Sequence, residues 1–104
     1  MRYTTTPTQS WQMIRHYAEK WQWQDIRTGL MTTGYNPPAG AKHKQRVPYH
    51  IKYVTLRGEV EQGNVVTLKV NPRRHQRMVQ YIDSNEIRWV NDYLVISIDG
   101  TRFI

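Results

Sequence analysis

Between Tyr49 and Ile104 the chain is cut at short intervals by turn-forming residues: Arg57-Gly58-Glu59, Asn71-Pro72, Asp83-Ser84-Asn85, Asn91-Asp92 and Asp99-Gly100. The apolar, β-branched segments left between these cuts read as strands. Tyr49, Ile51 and Tyr53 share one face of the first of them, and Val54 and Leu56 share the other, as in a strand that bends along a curved sheet. Gly63-Asn64 interrupts Val60 to Val70 as a bulge or a second turn. Gln76 to Ile82 places Arg77, Val79 and Tyr81 on one side, and in Glu86 to Val90 Ile87 and Trp89 share a face, with Trp89 read as core. Tyr93-Leu94-Val95-Ile96-Ser97-Ile98 is the most β-prone run, with Leu94, Ile96 and Ile98 expected innermost. Asp99-Gly100 then separates it from Thr101 to Ile104, and a two-residue pair of this kind favours a type I′ hairpin, which needs positive φ at both central positions. The whole stretch predicts a small β-barrel or sandwich.

The chain ahead of this region has a different rhythm. Residues 1 to 9 are polar and broken by Pro7, and read as a mobile lead-in. Ser10 offers an N-cap hydroxyl before Trp11, Ile14, Ala18 and Trp21, whose spacing puts them on one helical face. A helix from Ser10 to Gln22 is expected within a helical segment 10–31. Gly34, Pro37, Pro38 and Gly40 then predict a linker over residues 32–48. Its end, Ala41-Lys42-His43-Lys44-Gln45-Arg46, carries Lys42, Lys44 and Arg46 with no acid among them.

Fifteen Lys and Arg against eight Asp and Glu give a formal charge of +7 over 104 residues, a field that attracts polyanions. That length fits one domain with one modest core. The absence of Cys removes disulfides and thiolate chemistry and fits a reduced, cytoplasmic location. No apolar run approaches the roughly 20 residues of a membrane helix, and the N-terminus lacks the apolar core of a signal peptide. His16, His43, His50 and His75 lie far apart without the spacing of a metal site, no glycine belongs to a phosphate-binding loop, and the carboxylates sit mainly at turns. The sequence therefore predicts a protein that is not an enzyme and carries no metal or cofactor.

Strands of this number and spacing, with one helix ahead of them, predict a mainly β fold: a five- to six-stranded SH3-like or Sm-like barrel over residues 49–104. Met78-Val79-Gln80-Tyr81-Ile82-Asp83, Glu86-Ile87-Arg88-Trp89-Val90 and Tyr93-Leu94-Val95-Ile96-Ser97-Ile98-Asp99-Gly100 together resemble the end of the small SH3-like barrels related to the WYL domain, which occur in phages and other mobile elements. The resemblance implies a barrel and a phage or mobile-element origin. The Trp-Tyr-Leu tripeptide is absent, so ligand sensing is not carried over.

Two functional readings follow. In the first, Lys42, Lys44 and Arg46 join Arg73, Arg74 and Arg77 of the second basic cluster to hold the phosphates of DNA or RNA, while Tyr49 and Tyr81 stack on bases with little sequence preference. In the second, Trp11, Ile14 and Trp21 form a docking face for a protein partner or a second copy of the chain.

Overall fold

The computed structural model describes residues 7–104, with side chains from residue 13 onward. Among the described residues the fold is mainly β with one α-helix. Helix α1 spans Pro7–Ala18, so it starts ahead of Ser10 and stops short of Gln22. Proline suits a first helical turn, where its missing N–H has no partner to lose. Beyond Ala18 the period changes from helical to two: Trp21-Gln22-Trp23-Gln24 forms strand β1 (Trp21–Gln24), its side chains pointing alternately to either face.

About half of the expected linker is also strand. β2 (Met31–Gly34) and β3 (Lys42–Arg46) flank β1 in a three-stranded antiparallel sheet of order β2-β1-β3. The proline- and glycine-containing stretch is only the connection between β2 and β3.

The remaining strands are β4 (Tyr49–Val54), β5 (Val60–Asn71), β6 (Gln76–Tyr81), β7 (Ile87–Asn91), β8 (Val95–Ile98) and β9 (Thr101–Arg102). They make a six-stranded antiparallel sheet of order β7-β6-β5-β4-β8-β9, in which β7 and β9 are the edges. Short 3₁₀ turns at Pro72–Arg74 and Asp92–Leu94 join β5 to β6 and β7 to β8.

Tyr49, Ile51 and Tyr53 of β4 are buried in alternation, as their period-two spacing requires. They meet Val65, Val79, Val90, Val95 and Ile98 from the neighbouring strands, and Ile14 and Ala18 of α1 close the core from the helix side. At β8 Ile98 points inward as expected, but Val95 is the other buried residue in place of Leu94 and Ile96, because pairing with β4 shifts register between Ser97 and Val95. Asp99 and Gly100 have φ of 50° and 85°, the positive pair that the hairpin between β8 and β9 requires.

Gly63-Asn64 is neither a turn nor a bulge: β5 runs through it, and Gly63 faces Ile51 in regular register. The glycine serves a close approach instead. A Cβ there would stand 2.5 Å from Cε2 of Tyr81. The irregularity of β5 lies further on, between Thr67 and Lys69, where pairing with β6 shifts register. Trp89, expected in the core, is 51% exposed because β7 turns its neighbour Val90 inward and so points Trp89 outward.

Candidate functional site

The three-stranded sheet is an arm rooted next to the helix end. At its root the N–H of Val47 donates to the carbonyl of Lys20 (3.0 Å), and Nη1 of Arg46 donates to the carbonyl of Glu19 (2.9 Å). Tyr35, just past β2, donates its hydroxyl to the carbonyl of His16, and the two rings lie 5.5 Å apart. From this root the strands run outward to the turn Asp25–Leu30.

Antiparallel register sets Trp21 opposite both Gly34 and Arg46. The guanidinium carbon of Arg46 lies 4.0 Å from the centroid of the Trp21 ring, and Nζ of Lys44 lies 5.2 Å from it. Both distances are within the reach of a cation–π interaction. Residues two apart in a strand share a face, so Lys44 and Arg46 form with Trp21 a strip of alternating positive charge and indole. Gln22 and Gln45 meet on the opposite face at 3.3 Å. Burial draws the pKa of the Arg46 guanidinium below its ordinary value, against the pull of Glu19.

The one acid of the arm, Asp25, is turned to structural use. Its Oδ1 accepts the N–H groups of Arg27 (2.7 Å) and Thr28 (3.2 Å), and these bonds hold its carboxyl below the usual range. Among the described residues the ion pairs involve Arg15, Arg77 and Arg88, so the charges of Lys42, Lys44 and Arg46 are not cancelled by a bridging carboxylate.

Several residues expected in the basic patch stand elsewhere. Arg77 is completely buried: Nε and Nη2 grip the two carboxylate oxygens of Asp92 at 2.8 and 3.2 Å, and Nη1 stands 3.3 Å from Oε2 of Glu19. It cannot reach a phosphate. Burial works against its charge, but the hydrogen bonds and charge of Asp92 more than reverse that, and its pKa rises above the ordinary value. Tyr49 is buried too, sharing a 2.7 Å hydrogen bond with the Thr67 hydroxyl, so no base can stack on it. The two are withdrawn for one reason: they lie on the inward faces of β6 and β4.

Tyr81 is half-buried, its ring over Gly63 and its hydroxyl 3.0 Å from that of Tyr53. Arg73 and Arg74 are exposed on the 3₁₀ turn after β5, as expected of a solvent-facing cluster. Ile14 is fully buried in the core and is not part of a docking face. The side chain of Trp11 lies outside the described residues. Trp21, expected on the helix face from its spacing, sits on the arm with Lys44 and Arg46. The sequence signal for this was the period-two repeat Trp21-Gln22-Trp23-Gln24 directly after the helical pattern.

The chain has no match among protein-family models, curated proteins or solved structures.

Proposed function

We propose that this chain is a non-enzymatic basic module that contacts single-stranded or duplex nucleic acid through its β1-β2-β3 arm, with low sequence specificity. One observation carries the reading: Trp21 shares a strand face with Lys44 and Arg46, within cation–π distance of both. An aromatic ring supplies a stacking surface that every base can use, and flanking cations follow the phosphates. Lys42, paired with Gln24 beyond a register shift, adds a positive charge at the outer end of β3 on the other face, and Arg73 and Arg74 offer a second exposed contact. The net charge of +7 adds long-range attraction. The strand order β7-β6-β5-β4-β8, with a 3₁₀ turn ahead of β8, suits an SH3-like barrel as the platform. A phage or mobile-element origin and a cytoplasmic location belong to the same reading.

The test is a titration with short single- and double-stranded DNA and RNA over a series of salt concentrations. The logarithm of affinity should fall with the logarithm of salt by about 0.7 to 0.9 for each phosphate contact, and replacing both Lys42 and Lys44 with Gln should reduce that slope by about 1.4 to 1.8. Absence of binding at low salt, or an unchanged slope in the double variant, overturns the proposal.

Protein interaction is the second reading, and its support lies elsewhere. Edge strand β7 exposes about half of Ile87 and Trp89, and Leu56 on the β4–β5 turn is 87% exposed beside the same groove as Trp89. Sedimentation with no self-association and no nucleic-acid binding would leave only a foreign protein partner in play.

A further inference from the structure

A cavity of about 320 Å³ opens where the arm joins the helix, lined by Arg15, His16 and Glu19 of the helix end and by Trp21, Tyr35 and Arg46 of the arm. Its size lies at the lower limit of small-molecule sites, roughly 300 to 1,000 Å³, room for one nucleotide unit and not for a duplex. Its walls divide by chemistry. Arg15 and Arg46 bring guanidinium groups and His16 an imidazole, whereas Trp21 and Tyr35 bring rings.

The electrostatics favour an anion despite Glu19. Oε1 of Glu19 is 3.3 Å from Nε of Arg15, and its Oε2 is 3.3 Å from Nη1 of Arg77, behind which Asp92 completes the network. The three arginines Arg15, Arg46 and Arg77 thus face the two acids Glu19 and Asp92, a surplus of one positive charge. The Arg46 guanidinium keeps one buried donor, Nε, without a hydrogen-bond acceptor. A buried donor in that state costs free energy that an incoming acceptor recovers.

We propose that this cavity binds a terminal phosphomonoester nucleotide: the phosphate held by Arg15 and Arg46, the base laid against Tyr35 and Trp21. Guanidinium groups suit phosphate oxygens because they donate in a fixed planar fork. The ligand is the end of a strand or a free mononucleotide, since both present the same group. The inference rests on the nucleic-acid reading above and deepens it, from contact along a backbone to capture of a phosphorylated end.

The experiment compares one short single-stranded oligonucleotide carrying a 5′-phosphate, the same with a 3′-phosphate, the same with hydroxyl ends, and adenosine monophosphate, by tryptophan fluorescence with the full chain. One phosphorylated end should bind about tenfold more tightly than the hydroxyl form, as one charge-assisted contact implies. In Arg15→Gln the advantage should fall to about one, while the affinity for the hydroxyl form stays within about twofold. Arg15 suits the test because its side chain is 52% exposed and outside the core, so its loss leaves the fold intact. Binding of the mononucleotide with the same Arg15 dependence identifies the pocket as sufficient; capture of oligonucleotides alone shows that the arm is also required. Equal affinity of all the oligonucleotides, with binding retained, overturns the inference and leaves the nucleic-acid reading standing. Loss of the phosphate advantage in Lys42→Gln but not in Arg15→Gln overturns it as well.

Discussion

Arg77 and Asp92 form a two-toothed ion pair that is fully buried between β6 and the 3₁₀ turn ahead of β8, with contacts of 2.8 and 3.2 Å. The pair ties the turn between β7 and β8 to β6, and Glu19 extends the tie to the helix end. Removing one member of such a pair strands the other charge away from water. Asp92→Ala should therefore destabilise the fold by about 3 to 5 kcal/mol, and the double replacement Arg77→Met with Asp92→Leu by clearly less. Chemical denaturation of the single and double variants measures both. A double variant as unstable as the sum of its single changes would show that the two side chains do not act as a pair.

Trp21→Ala separates the arm from the core. Trp21 is half-buried and outside the cluster that holds Ile14 and Ala18. Its loss should lower stability by about 1 kcal/mol, the scale of its cation–π contacts. Ile14→Ala should cost about 2 to 5 kcal/mol, as for other filled core positions. Nucleic-acid affinity should show the reverse order, with Trp21→Ala losing about 1 to 3 kcal/mol of stacking and Ile14→Ala little in the folded fraction. Thermal melts together with the titration above give the two orders.

Alkaline pH should unfold the protein earlier than its surface tyrosines would suggest. Burial raises the pKa of Tyr49 and of Tyr53, and for Tyr53 the hydrogen bonds with Tyr81 and Glu61 raise it further. Both phenols keep their protons in the fold where an unfolded tyrosine loses its own, near pH 10. The folded state then binds more protons, so stability is complete below about pH 10 and falls as pH rises above it. Urea melts from about pH 8 to pH 11 should show the decline, and Tyr53→Phe should make it shallower. A decline of equal steepness in Tyr53→Phe would remove that phenol from the account.

Much of the sheet was legible because its rules are local. Positive φ at Asp99 and Gly100 is a steric demand that the two residues carry in themselves, and the alternation of Tyr49, Ile51 and Tyr53 follows from a strand's period of two. The helix was legible in its middle, where Ile14 and Ala18 recur on one face, and both are buried. What sequence periodicity could not settle was where one pattern yields to another. Trp21 fits the helical spacing of Ile14 and Ala18, and only pairing with Gly34 and Arg46 draws it into a strand.

Charge was the least local property. Arg77 sits in a run of basic residues that reads as a solvent-facing turn, yet it is buried because Asp92 and Glu19 arrive from two other elements to balance it. Lys42, Lys44 and Arg46 form a similar run and remain available, since the only acid on their arm is bound to its own backbone. The sequence by itself determined the strands from Tyr49 onward, their closing hairpin and the surplus of positive charge, whereas β1, β2 and β3 emerged only from pairing with one another. The tertiary structure decided which of those charges face water, because the cost of burying a charge depends on partners that are distant along the chain.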